Sequence, residues 1–451
     1  MTPLWYRAAW ALARPLALVV SRGEGKLARA VRGHLAATAA IEAWAAAHRE
    51  PARPLMWLHA ASVGEGRQAE VVLRLLRAAR PAWQYLYTFT SASAERLSTS
   101  FPVDFAGYAP PDTEGDAGRA LDAARPSLLG FTANDVWPEL VRQAVRRRVR
   151  TALVSANLSA GSSRRGRFAR ALLGPAYVAL DVVGAIDAAD AEQLVRLGVR
   201  RERVRVTGDS RHDAAAARAA AVDRASPHLR ALAGDGTDRR PIVVAGSTWP
   251  SDEARLFPAL GALRRGGLAF RLVVAPHEPA PEHLCALERA ARTALGADVV
   301  VATLGELEAA AGEAATDAGL DPPWDVCLVD RVGVLAELYA VAALAYVGGG
   351  FHRQGLHSVI EPAALGVPVL FGPRFAASRD AKLLLDAGGA VTATDRTTLE
   401  RAARAWLAND TARATAGAAA RAVVERGLGA AERSVGLLLD LLEPPADQST
   451  S

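Results

Sequence analysis

The sequence predicts an α/β protein made of two doubly wound, Rossmann-like domains that face each other across a cleft. Three observations carry that expectation. The chain has 451 residues, too many for one ordinary core at roughly 150–200 residues per α/β domain. Short apolar runs recur along it and are continuous rather than alternating, as in strands buried on both faces of a parallel sheet. Alanine-, leucine- and arginine-rich stretches of helical character separate these runs, so the chain reads as repeated βαβ units.

The amino-terminal stretch 4–20, LWYRAAWALARPLALVV, is too short and too charged to span a bilayer, which takes roughly 20 apolar residues. Arg7 and Arg14 also interrupt what would be a signal-peptide core. Trp5, Trp10, Leu12 and Leu16 supply apolar area, and Arg22, Lys26, Arg29 and Arg32 follow. That composition suits a helix lying in the headgroup layer, and it suits equally a first helix packed on the protein body. Residues 1–35 are assigned as a membrane-associating segment. A first domain is expected over 36–215, with strands at 55–61, 85–90, 127–132, 150–156, 181–186 and 203–207. A linker is expected over 216–240, running from an alanine helix into GDGTDRR. The second domain, 241–443, carries strands at 241–246, 269–275, 325–330, 343–348 and 367–371 and closes with carboxy-terminal helices. PPADQSTS, 444–451, reads as a disordered tail.

Hydrophobic residues make up 51% of the chain and charged residues 22%, which excludes a disordered or collagen-like protein. The only cysteines, Cys285 and Cys327, lie far apart, so neither a disulfide scaffold nor a cysteine zinc site is expected. The net charge of +5, from 53 basic and 48 acidic residues, favours anionic partners. Arginine supplies nearly all the basic charge, since Lys26 and Lys382 are the only lysines, and guanidinium grips phosphate and carboxylate with paired hydrogen bonds. No alternation of basic and aromatic residues supports a nucleic-acid groove. HExxH, GxxxxGK[ST] and GxGxxG are all missing, so zinc-protease, P-loop and dinucleotide-dehydrogenase chemistry lose their usual signatures.

The densest signal is YVGGGFHRQGLHSVIEPAALGVPVLFGP, 346–373. A strand ends in Gly348-Gly349-Gly350, which permits close approach of backbone to a ligand. His357 and Ser358 then precede an apolar helix bearing Glu361. Ser358 and Glu361 have the spacing of a capping box; alternatively the helix start holds phosphate while Glu361 accepts hydrogen bonds from a ribose diol. The glycine turn, helix start, acidic residue and GVPVLFGP together resemble the donor site of GT-B glycosyltransferases. A second signal is WLHAASVGEGR, 57–67, where Gly64 and Gly66 flank Glu65 after the first strand. Glu65 is placed as a general base would be, or it caps a helix with Ser62. The third comprises Gly246-Ser247-Thr248-Trp249 with Asp252 and Glu253, and Pro276-His277-Glu278-Pro279, both following strands of the second domain. Backbone amides at Ser247 and Thr248 suit a phosphate, which His277 can also contact.

Taken in order, these segments resemble the Kdo transferase family, which adds 3-deoxy-D-manno-octulosonic acid (Kdo) to lipid A precursors. HAASVGE (59–65), NDVWPEL (134–140), SANLSAGSSRR (155–165), VTGDSRHD (206–213), GSTWPSDE (246–253), APHEP (275–279) and DRVGVLAELY (330–339) each resemble a family segment. The resemblance implies a GT-B fold, inverting transfer from CMP-Kdo, and Glu65 as the base. It implies acceptor contacts at Ser62, Asp135, Arg164 and Arg165. Donor contacts are implied at Ser247, Thr248, His277, His357, Ser358 and Glu361, and at the backbone amides of Gly333 and Val334, where many members carry a carboxylate and this chain does not. The implied partners are CMP-Kdo, a lipid A precursor and the anionic cytoplasmic face of the bacterial inner membrane; no nucleic acid, cofactor or metal is implied. A GT-B enzyme using a UDP-sugar with a lipid acceptor is the alternative.

Overall fold

The computed structural model describes residues 4–158, 167–234, 237–314 and 324–442. Two compact units divide the chain. One runs to Ala214 and resumes at Gly427; the other spans Ala215–Arg426.

The first unit holds seven strands: β1 (Leu55–His59), β2 (Gln84–Phe89), β3 (Phe105–Tyr108), β4 (Leu128–Thr132), β5 (Arg150–Ala156), β6 (Val182–Ala185) and β7 (Val204–Val206). They form one sheet in the order β3-β2-β1-β4-β5-β6-β7, and every neighbouring pair is parallel. Strands β1, β2 and β4 are buried at every position, as their unbroken apolar runs require, and helices cover both faces. One face packs Trp57, Leu129 and Leu153 against Ile41, Leu121 and Leu140. On the other, Met56, Leu58 and Val154 meet Val72, Leu76 and Leu438.

The second unit repeats the design with β8 (Ile242–Thr248), β9 (Arg271–Pro276), β10 (Val301–Thr303), β11 (Val326–Leu328), β12 (Leu344–Val347), β13 (Val369–Phe371) and β14 (Ala390–Thr392). Its all-parallel order is β10-β11-β9-β8-β12-β13-β14. The doubly wound α/β class is therefore found twice, with three strands beyond those anticipated: β3, β10 and β14. All three are sheet edges, partly exposed, and so lack a continuous apolar run.

Domain boundaries differ from the expected ones in three places. Residue 35 falls inside the helix Lys26–His48, whose Thr38, Ile41 and Trp44 are buried in the first unit. The stretch 216–240 is not a bare linker: the helix Ser210–Ala220 runs into it, and the helix Pro227–Ala233 buries Leu229, Ala231 and Leu232 with Leu304 and Leu338 of the second unit. The last helix, Ala430–Leu442, belongs to the first unit, because Ala431, Val435 and Leu438 complete the core beside Leu73 and Leu76. Residues 444–451 lie outside the described residues.

The helix Leu4–Val20 exposes Trp5, Leu12, Leu16 and Val19, which share one face at 100° per residue. Tyr6 ties it to the body by donating to Asp112 Oδ2 at 2.7 Å. Among the described residues, no helix is long and apolar enough to cross a membrane.

Candidate active site

Strand order reverses between β1 and β4 in the first sheet and between β8 and β12 in the second. Doubly wound sheets bind ligands at the carboxyl ends of strands flanking such a reversal. Both clusters of anticipated residues lie there, each within its own unit.

In the first unit, Ser62 caps the helix Val63–Ala79 that follows β1. Its hydroxyl oxygen accepts from the Glu65 amide at 3.4 Å. Glu65 Oε2 accepts in return from the amides of Ala61 (3.0 Å) and Ser62 (3.2 Å) and from the Ser62 hydroxyl (3.3 Å). The capping arrangement is thus present, and it fixes the carboxylate rather than silencing it. These bonds all fall on Oε2 and none on Oε1. Burial, and then the negative charge of Asp135, push the Glu65 pKa above its ordinary value against the opposing pull of Ser62 and His59.

Asp135 follows β4 in a turn entered through Ala133, whose φ of 62° is left-handed. Strain of that kind is maintained only where the surroundings fix it. Here the Asn157 amide donates to Asn134 Oδ1 at 3.2 Å and the Tyr177 hydroxyl to the Asn134 carbonyl at 3.1 Å. Asp135 Oδ2 accepts from Trp137 Nε1 at 2.9 Å and lies 3.1 Å from Nε2 of the fully buried His59. His59 Nδ1 sits 2.9 Å from Thr88 Oγ1, which also accepts from Trp57 Nε1 at 2.9 Å. Trp137 Nε1 also reaches His59 Nε2 at 3.1 Å, so the two ring nitrogens of His59 are held between Thr88 on one side and the Asp135–Trp137 pair on the other. Ser62 and Glu65 are thus bonded to each other, Asp135 lies near enough for its charge to act on Glu65, and His59 and Trp137 hold Asp135. Arg164 and Arg165 lie outside the described residues. Asp213, in the GDSRHD stretch, accepts from the amides of Gly429 (2.8 Å) and Ala431 (3.0 Å) and so anchors the last helix.

In the second unit, β8 ends at Ser247, left-handed at φ 53°, and at the buried Thr248, whose hydroxyl donates to Glu253 Oε1 at 2.8 Å. β12 passes so close that a Cβ on Gly348 would lie 2.2 Å from the Ser247 carbonyl oxygen; only glycine fits. Four rings gather beyond these ends. Trp249 stacks on His277 at 4.5 Å and on His352 at 4.0 Å, and His277 stacks on His357 at 4.8 Å. Burial, and next the charge of His277, press the His357 pKa down to about 4.

Ser358 is exposed and Glu361 does not share a capping box with it, for the short helix Ile360–Ala364 has no side-chain cap. Instead Glu361 pairs with Arg218. The two, with Ala215, Ala336, Glu337 and Leu365, line an open pocket of about 120 Å³. Gly333, at φ 102°, and Val334 lead into the helical turn Leu335–Leu338 that supplies Ala336 and Glu337. Arg218 carried no sequence signal, because it sits in an alanine-rich stretch assigned to the linker. His59, Trp137 and Trp249 lay inside the motifs already singled out.

Comparison with solved structures sets the fold class. A putative UDP-N-acetylglucosamine 2-epimerase from Listeria monocytogenes is similar over 86% of this chain and 96% of its own, with a TM-score of 0.60 at 14% identity. A glycosyltransferase from Rickettsia africae is similar over 87% and 99%, with a TM-score of 0.53 at 10% identity. The fold is that of the GT-B glycosyltransferases. A family model described as 3-deoxy-D-manno-octulosonic-acid transferase (kdotransferase) matches residues 32–214. The 3-deoxy-D-manno-octulosonic acid transferase of Bordetella pertussis is 31% identical over 399 residues, 86% of this chain and 87% of that one. That of Haemophilus influenzae is 26% identical over 393 residues, 86% of each. The chain belongs to the Kdo transferase family and is a glycosyltransferase.

Proposed function

We propose that the protein transfers Kdo from CMP-Kdo to a lipid A precursor, with inversion, and that Glu65 is the general base. The observation that carries this is the half-buried Glu65, with its raised pKa, at the strand-order reversal of a family member. Glu65 Oε1 takes the proton of a glucosamine hydroxyl as that oxygen attacks the anomeric carbon of Kdo. The bond from that carbon to the phosphate oxygen breaks, and CMP departs with the electron pair. The amides of Ser247 and Thr248, with His277, His357 and Ser358, hold the phosphate as its charge grows. The amides of Gly333 and Val334 complete the donor contacts. Glu361 accepts hydrogen bonds from the ribose, and Arg164 and Arg165 meet the acceptor's phosphates. Asp135, with Ser62, orients the acceptor beside the base.

The work is done at the cytoplasmic face of the inner membrane, held by the apolar face of the helix Leu4–Val20. Flotation with anionic liposomes tests that part: a chain lacking residues 1–22 should stay in the soluble fraction, and undiminished binding would overturn it. The transfer itself is tested by incubating the protein with a lipid A precursor and CMP-Kdo generated in situ, then weighing the product. A mass increase of one or more Kdo residues is expected. No increase with CMP-Kdo, or a sugar added from a UDP donor instead, would overturn the proposal.

A further inference from the structure

Asp252 is fully buried in the first turn of the helix Pro250–Arg265. Its carboxylate accepts from four donors on three elements: the Trp249 amide (3.0 Å), the Tyr346 hydroxyl of β12 (3.0 Å), and the Gly349 (2.9 Å) and Phe351 (3.2 Å) amides of the glycine-rich turn. A buried carboxylate so satisfied locks its donors in place, because releasing any one of them leaves charge unpaired. What it locks is the position of Trp249. The indole lies between the rings of His277 and His352, and its Nε1–H donates to His357 Nε2 at 3.0 Å. Indole nitrogen only donates, so Nε2 of His357 must be the acceptor. The single proton of the neutral ring therefore sits on Nδ1.

We propose that Trp249, seated by Asp252, is a positioning residue that holds His357 in the neutral Nδ1–H tautomer, so that the ring offers a fixed, uncharged N–H to an anionic ligand. The assignment of that ligand as the donor phosphate rests on the function proposed above. The groups facing His357 are His277 stacked on its ring, His352 beyond the indole, and Asp252. Burial and the two other imidazoles oppose its protonation, while only Asp252 favours it. A phosphate thus meets a ring whose hydrogen-bonding pattern holds through the range in which an ordinary histidine would titrate.

The test uses full-length protein labelled with ¹⁵N-histidine. The resonances of His357 are assigned by their loss in His357→Gln, and its tautomer is followed by proton–nitrogen correlation from about pH 5 to about pH 8. Wild-type protein should show one neutral Nδ1–H form throughout. Trp249→Phe keeps an aromatic ring in the stack but removes the donor, so His357 should show mixed tautomers and take up a proton within the window. CMP affinity of that variant should fall roughly 10-fold, the loss of about one hydrogen bond. An Nε2–H tautomer in the wild type, or an unchanged His357 signal in Trp249→Phe, would overturn the proposal. The tautomer reading needs no ligand. Failure of the wild type to bind CMP would therefore count against the donor site, while the tautomer result still decides the role of Trp249.

Discussion

At the reversal between β1 and β4, three ionisable side chains influence one another: Glu65, with one carboxylate oxygen engaged by its helix cap, feels the charges of Asp135 and His59, which are bonded to each other and linked back through Thr88 to Trp57. At the reversal between β8 and β12, by contrast, the buried carboxylate of Asp252 is spent on backbone and tyrosine donors, and His357 is kept neutral. The same topology therefore carries two chemistries. One end brings the charges of Glu65, Asp135 and His59 together, the setting of the proposed base; the other keeps His357 neutral, pairs Glu361 with Arg218, and presents amides, rings and a pocket. The difference teaches that each half of a double fold is specialised by its loops while the sheet stays the same.

The largest expected effect breaks the comparison on its proton-handling side. Glu65→Gln keeps an oxygen for the amides of Ala61 and Ser62 but cannot accept a proton. Turnover should fall by roughly 10²-fold or more, with little change in melting temperature. Near-normal turnover would make Glu65 a cap alone.

A second test asks how far burial of charge extends through the first unit. Asp112 is almost wholly buried and accepts from Tyr6, from the Glu139 amide at 3.1 Å and from the Leu140 amide at 2.8 Å. Burial, the largest cause, lifts its pKa to about 6. A carboxyl raised on folding gives a stability contribution that is complete below its unfolded pKa and is lost as pH rises through the folded one. Denaturant unfolding at about pH 4 and about pH 7 should show wild type losing roughly 2 kcal/mol relative to Asp112→Asn. Parallel changes in the two proteins would contradict it.

The smallest effect sharpens the coupling itself. As the proposed base Glu65 acts ionised, so kcat/KM should fall as pH drops through its raised pKa. Asp135 contributes to that elevation, and Asp135→Asn should move the acid limb to lower pH. A limb that stays put or moves upward would show that the two carboxylates are not coupled.

Much of this is legible in the amino-acid sequence. Strands buried on both faces advertise themselves as unbroken apolar runs, and eleven such runs gave the two parallel sheets. Three of the four edges are silent: β10 is only partly buried along its length, and such a strand leaves no distinctive pattern, whereas the edge strand β7 is read from RVRVT at 203–207. Ser62, Glu65, Ser247 and His277 were readable because glycines and strand ends mark the turns that carry them. Contacts distant in sequence were not readable. Arg218 meets Glu361 across 143 positions, and the last helix returns to the first unit through Asp213 across 216 positions; neither leaves a local trace. Ser358 and Glu361 show the converse, a correct local spacing that the Arg218 pairing overrides.

The division of labour between the two reversals is tested most directly by calorimetric titration of CMP into Glu65→Gln and Glu361→Gln side by side. Glu65→Gln should bind CMP as wild type does. Glu361→Gln, stripped of the carboxylate proposed to accept from the ribose, should bind roughly 10-fold more weakly. Equal weakening in both variants, or weakening in Glu65→Gln alone, would contradict the assignment of proton transfer to the first unit and nucleotide binding to the second.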